Sequence, residues 1–163
     1  MPATIRLIVL GILTALCFVS SATARDLATL DRISVLMTRA DCHRLLGQPD
    51  YRLLVADLEI ESYLVTHHES LKGAACMYEK KGILVGQILI FDGEGDRVAT
   101  ERLIQHGFAL LGGKEGPAYL SGRDDDTGHP LVVFVFESRG ATIVMSFEKT
   151  FYEGQVGPVE SRR

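Results

Sequence analysis

Apolar and polar side chains alternate most clearly near the carboxyl end of the chain. Residues 141–148 follow a period of two, residues 131–136 form a continuous apolar run, and the dipeptide Arg139-Gly140 separates the two segments. This pattern is typical of two antiparallel strands joined by a tight turn. Residues 74–80 and 83–91 predict an earlier hairpin around Lys81-Gly82, because glycine accepts the positive φ that such turns require.

The two predicted hairpins share a local pattern at their tips. Tyr78-Glu79-Lys80-Lys81-Gly82 and Phe136-Glu137-Ser138-Arg139-Gly140 both run from an aromatic residue through charged and basic residues to glycine. Two interpretations stay open. The pattern indicates a duplicated half-domain, or it reflects only that these residue types suit hairpin tips.

Weaker patterns predict further strands. Leu54 to Leu64 is apolar at most even positions and acidic at the central odd ones, which predicts a half-buried strand that is broken once. Residues 117–121 predict a short strand. Residues 26–33 favour a short helix, although residues 33–37 fit an initial strand equally well.

Two helices have clearer boundaries. Thr38 can cap a helix in which Asp41 reaches back to it, and Gly47 can end that helix. Asp96 predicts the start of a longer helix that continues to about Leu111 and stops at residues 112–113. These elements predict an α+β fold: an antiparallel sheet built from two hairpins plus one or two further strands, with one long and one or two short helices packed on it.

The first 24 residues have the pattern of a cleaved signal peptide. Arg6 precedes an apolar run over residues 7–19, and Ala22-Thr23-Ala24 resembles a cleavage site. The run is too short to span a membrane as a helix. We therefore expect a periplasmic or secreted protein with no transmembrane segment in the mature chain, in which residues 25–163 form a single domain whose tail is flexible from about residue 153.

The expected export changes the interpretation of the cysteines. Cys17 would leave with the signal peptide, so that Cys42 and Cys76 remain as a pair in an oxidising compartment. We expect a disulfide between them. On the predicted helix, Cys42 shares the inward face with Leu45 and Leu46, whereas Arg39 and His43 face outward. The alternatives are two buried free thiols and a reactive Cys42 beside His43.

Charge and motifs argue against several function classes. The mature chain carries 16 basic and 21 acidic residues, with no basic stripe, which excludes nucleic acid as an expected partner. The nucleophile-elbow and phosphate-loop motifs are absent, and we expect no cofactor and no catalytic residues. Asp124-Asp125-Asp126 could attract calcium, but such a run is typical of a solvated loop tip.

A metal site is the main alternative to a simple binding protein. His67, His68 and His129 are the histidines that could serve as ligands, with nearby carboxylates, in a metal-binding protein or a hydrolase. Adjacent residues on a strand point to opposite faces, so only one of the first two histidines would join such a site. A solvated strand end is the simpler interpretation, and we assign no metal ligand.

The last hairpin offers a candidate binding surface. One face of it carries Phe134 and Phe136 on the first strand and Ile143 and Met145 on the second, and the opposite face is also apolar. An apolar sheet that helices cover only in part can hold a ligand or a partner. Helices on both sides of the sheet would explain the pattern equally well.

Residues 37–49 resemble the helix and Leu-Gly-x-Pro phrase of small envelope assembly lipoproteins of the BamE type. The resemblance covers thirteen residues, and the acylated cysteine of those proteins has no counterpart here, so no function is carried over. The sequence predicts a small non-enzymatic binding protein, such as an envelope accessory, inhibitor or immunity-type protein. Its expected partner is an envelope protein or a small apolar ligand.

Overall fold

Eight antiparallel strands and four helices make up the part of the chain that the structure, a computed structural model, describes: residues 27–65, 68–93, 95–113 and 117–156. The predicted signal peptide, residues 1–24, lies outside these residues. The helices are α1 (Leu27–Leu30), α2 (Arg39–Leu46), α3 (Asp96–Gln105) and α4 (Lys149–Val156). The strands are β1 (Tyr51–Val55), β2 (Leu58–Leu64), β3 (Leu71–Tyr78), β4 (Leu84–Asp92), β5 (Ala109–Gly112), β6 (Ala118–Arg123), β7 (Pro130–Ser138) and β8 (Ala141–Glu148).

The strands form one sheet in the order β1-β2-β3-β4-β8-β7-β6-β5. Two units of the same topology meet at its centre. The first unit is α2 followed by β1–β4, and the second unit is α3 followed by β5–β8. Because β4 pairs antiparallel with β8, the last strands of the two units form the central seam. A duplicated half-domain would have this arrangement.

The expected α+β fold with helices packed on an antiparallel sheet is confirmed, but the sheet is larger than predicted. It has four strands besides the two predicted hairpins, instead of one or two. The segment predicted as a strand broken once is the hairpin β1–β2, which turns at Ala56 with φ of 55°. Both predicted hairpins are present, and the last one turns at Arg139-Gly140 as expected.

The predicted long helix from Asp96 to about Leu111 is wrong in its second half. It ends at Gln105, because Gly107 adopts a φ of 88° that breaks the helical path. Ala109–Gly112 then pairs with β6 as the edge strand of the sheet. The glycines at 112–113 therefore end a strand and not a helix.

Both faces of the sheet are covered. The α2/α3 face carries helices α1, α2 and α3, and the opposite α4 face carries helix α4, which no sequence pattern predicted. Helix α4 buries Tyr152 against Phe134 and Phe147 and continues to Val156, where a flexible tail was expected. The core of the α4 face consists mainly of Ile60, Met77, Ile88, Ile90, Val132, Phe134, Phe136, Ile143, Met145 and Phe147.

The helices are short. None of those in the described ranges has the length and apolar character needed to cross a lipid bilayer.

Candidate functional site

A cavity of about 350 Å³ lies on the α2/α3 face, over the central seam between the two units. Its floor includes Gln87 of β4 and Ser146 of β8, which are directly paired across the seam. Ala74 and Cys76 of β3 also line the floor. The side chains of Ala74, Cys76 and Ser146 are small, so they leave space that Leu or Phe would fill.

The walls of the cavity are apolar and come from the segment before the first unit and from the second unit. Leu30 and Ile33 lie on the side of α1, and Leu103 and Phe108 lie on the side of α3. Segment 31–37 is held over the sheet by hydrogen bonds: the amide of Gln87 donates to the carbonyl of Ile33, and two backbone bonds join the segment to Leu84. The sheet and the elements above it therefore define the cavity from two sides.

The mouth of the cavity is charged. Asp31, Arg123, Asp124 and Asp125 line it together with His106. The guanidinium of Arg123 donates to the carbonyl of Gly128 at 2.8 Å. Within the same loop, Asp124 accepts hydrogen bonds from the backbone and hydroxyl of Thr127, which fixes the turn between β6 and β7.

The turn also contacts a segment outside its own unit. The hydroxyl of Ser34 donates to Asp126 at 3.2 Å, so the acidic loop of the second unit contacts the segment that precedes the first. The three aspartates of this loop have different contacts. Asp124 fixes the turn and lines the mouth of the cavity, Asp125 lines the mouth, and Asp126 contacts Ser34. Across the described ranges, no group of three or more His, Cys, Asp or Glu side chains is arranged to hold a metal ion.

The two cysteines lie together under α2, as the sequence predicts. Cys42 and Cys76 are both buried, and their thiols are hydrogen bonded to each other instead of being joined in a disulfide. The bond from Cys76 lowers the pKa of Cys42; it raises the pKa of Cys76, which burial raises further. The pairing of these residues in space agrees with the expected disulfide, and the covalent bond itself stays a prediction.

A buried carboxylate forms a second polar group beside the thiols, which we call the Glu61 cluster. Glu61 has no exposed surface and accepts hydrogen bonds from His43 at 2.5 Å and from the hydroxyl of Tyr63 at 3.1 Å. Arg52 lies 3.1 Å and Arg39 lies 3.8 Å from its other oxygen. Burial raises the pKa of Tyr63, so that its hydroxyl remains a donor to the carboxylate.

The Glu61 cluster changes two expectations. The side chains of Arg39 and His43 were expected to face outward from α2, but they turn toward the sheet because the buried carboxylate attracts them. Cys42 contacts Cys76 while the adjacent His43 contacts Glu61, so the two residues do not form a nucleophile and base pair. Strand alternation alone placed Glu61 on a solvated face, and no sequence signal marked it as buried.

The histidines proposed as alternative metal ligands are not brought together where they are described. Nδ1 of His68 accepts hydrogen bonds from two backbone amides in the turn before β3, and His129 is exposed before β7. Pairing across the sheet places Leu71, at the start of β3, level with Glu137 at the far end of β7. At usual strand dimensions this separates His129 from His68 by roughly 25 Å along the strands. His67 lies outside the described residues.

The predicted binding surface lies in the interior of this structure. Phe134 and Phe136 are 7% and 9% exposed, and Ile143 and Met145 are 1% and 0% exposed. Phe134 contacts Tyr152 of α4 at a ring distance of 5.4 Å. Tyr152 of α4 therefore covers Phe134 in this structure. The accessible apolar space is on the other face of the sheet, in the cavity.

Searches with protein-family models, among curated proteins and among solved structures each found no match to this chain or its fold.

Proposed function

We propose that the protein is a small exported, non-enzymatic binding protein that holds a small apolar ligand in the cavity over the central seam. The cavity is the observation that carries the proposal. Its volume of about 350 Å³ falls at the lower end of the range of about 300–1,000 Å³ that is usual for ligand pockets.

The composition of the cavity suits binding. Apolar walls from Leu30, Ile33, Leu103 and Phe108 supply the hydrophobic contact, which is the main source of affinity for a small ligand. The hydroxyl of Ser146 on the floor can orient a polar group of the ligand. A few polar groups among apolar walls are typical of sites that bind small molecules.

The architecture supports the same function. The floor belongs mainly to the two central strands, each of which is paired with a strand on both sides, and the walls belong to shorter elements above it. A site built on paired strands keeps its geometry, and the segment over residues 31–37 is itself bound to the sheet by hydrogen bonds. The proposal therefore assigns recognition to the junction of the units and not to either unit alone.

Filling the cavity tests the proposal. N-phenyl-1-naphthylamine, an uncharged aromatic dye whose fluorescence rises in apolar surroundings, serves as the probe. We expect saturable fluorescence enhancement with the purified protein, and Ser146→Phe should weaken binding by more than about tenfold because the ring occupies the floor.

Ser138→Phe is the matched control, because it adds the same ring at the end of the last hairpin, away from the cavity. This variant should bind the dye as the parent does. Thermal denaturation of both variants separates loss of the site from loss of the fold. Failure of the parent protein to bind the dye, or equal binding by parent and Ser146→Phe, would contradict the proposal.

A further inference from the structure

The charges at the mouth of the cavity are unbalanced. Among the residues that the structure describes, three carboxylates, those of Asp31, Asp124 and Asp125, line the mouth with one guanidinium, that of Arg123. The guanidinium is bound to the carbonyl of Gly128 within its own loop. Asp31 and Asp125 are exposed and take no part in an ion pair or side-chain hydrogen bond within the described residues.

The position of the carboxylates determines which part of a bound molecule they would contact. They border an opening whose interior is apolar, so a molecule in the cavity would present its outer end to them. Low-dielectric walls beside like charges concentrate the potential at such an opening. A carboxylate on the ligand would be repelled there, and a cationic group would be attracted.

We infer that the cavity takes an organic cation with an apolar body, such as an alkylamine, whose charged end lies between Asp31 and Asp125. This inference rests on the proposed function, since it names the ligand class for the same cavity. The apolar body would contact Leu30, Ile33 and Phe108. The ammonium group would remain partly hydrated at the mouth, where two unpaired carboxylates can accept its hydrogen bonds.

The test compares three ligands that share one alkyl chain and differ only in the end group: octylamine, octanol and octanoate. Isothermal titration calorimetry of the purified protein at neutral pH and low salt measures their dissociation constants. We expect octylamine to bind most tightly and octanoate most weakly, with a ratio of about tenfold or more between them. Raised salt should reduce the ratio, because exposed charges are screened.

A variant that lacks both free carboxylates shows whether they cause the preference. In Asp31→Asn with Asp125→Asn, octylamine should lose roughly two- to fivefold in affinity for each removed charge, while octanol should bind as before. Asp57→Asn is the control, because it removes one carboxylate from the exposed β1–β2 turn, outside the cavity. This control should leave all three affinities unchanged.

The possible results separate the two proposals. If octanol binds but octylamine shows no advantage over octanoate, the cationic ligand class is wrong and the apolar cavity site stands. The same conclusion follows if the double variant keeps the amine preference. If none of the three ligands binds and the naphthylamine dye does not bind either, the proposed function is wrong and the inference is wrong with it.

Discussion

The two units have the same topology, but different kinds of side chain lie beneath their helices. In the second unit, α3 packs on an apolar layer that includes Leu120, Val133 and Val135. In the first unit, α2 packs on a layer that includes the thiol pair and the Glu61 cluster. Glu61 in β2 and Leu120 in β6 both belong to the second strand of their unit, and neither has any exposed surface.

The difference shows that the buried charges are not needed for this topology. Apolar side chains hold the second unit, and replacing a buried ion pair by apolar residues of similar volume is often neutral or stabilising in proteins. A buried carboxylate, however, destabilises the fold when it loses the partners that compensate its charge. The stability of the first unit should therefore be sensitive to single changes that separate the charges, and to the redox state of its thiols.

The largest expected effect concerns the thiols, which only the first unit contains. Oxidation of Cys42 and Cys76 to a disulfide would close a loop of about 35 residues and stabilise the fold by roughly 4 kcal/mol. Protein purified from an oxidising compartment should show no free thiol after denaturation, and reductant should lower its urea midpoint. Hydrogen exchange should then increase in β2 and β3 and change little in β6 and β7.

The variant Cys42→Ala with Cys76→Ala controls for other effects of the reductant. Its urea midpoint should be the same in oxidising and reducing conditions. Two titratable thiols in the denatured native protein would contradict the disulfide, and the hydrogen-bonded thiol pair would then be the native state.

The next effect concerns the buried carboxylate. We expect Glu61→Ala to destabilise the protein by about 3 kcal/mol, at the low end for breaking a buried ion pair because Arg39 and Arg52 can turn toward water. Urea denaturation measures this change. Glu59→Ala is the matched control: its carboxylate pairs with Arg39 at 2.6 Å but is about a third exposed, so its loss should cost less than about 1 kcal/mol.

Equal losses of unfolding free energy at positions 59 and 61 would show that burial does not distinguish the two carboxylates. The buried charge would then not make the first unit more sensitive to mutation than the second. A clearly larger loss of unfolding free energy in Glu61→Ala than in Glu59→Ala would show that the stability of the first unit depends on the buried carboxylate.

The sequence predicted those elements whose pattern is local. The two hairpins and the capped helix α2 are present because turn glycines, strand alternation and the Thr38 cap act over a few residues. The α3 prediction failed where an apolar run, residues 108–111, suited either a helix or a strand. Pairing with β6, which lies beyond the next turn, decided in favour of the strand.

The candidate site was mostly beyond prediction because distant segments form it. Gln87 and Ser146 become neighbours only through pairing of the two central strands, and nothing near either residue indicates a cavity. The burial of Glu61 likewise depends on Arg52 and on the helix that covers it. The cysteines were the exception, since an even number of thiols in a chain that is expected to be exported predicts contact regardless of the fold.

The smallest effect concerns how the two helices begin. In α2, the hydroxyl of Thr38 accepts from the backbone of Asp41 and donates to its carboxylate, whereas α3 begins at Gly95 without a side-chain cap. Thr38→Ala would make the start of α2 resemble that of α3, at a cost of about 1 kcal/mol in urea denaturation at neutral pH.

Acid should reduce this cost. The Thr38 hydroxyl holds the pKa of Asp41 below its usual value, so the carboxylate contributes stability above the pKa of the unfolded chain and loses it as the pH falls through the lower folded value. The difference between the parent and Thr38→Ala should therefore be full at pH 7 and smaller at pH 3. Asp41→Asn, which retains the backbone cap but cannot ionise, should lose this pH dependence. A difference that stays constant between pH 7 and pH 3 would assign the whole effect to the backbone hydrogen bond.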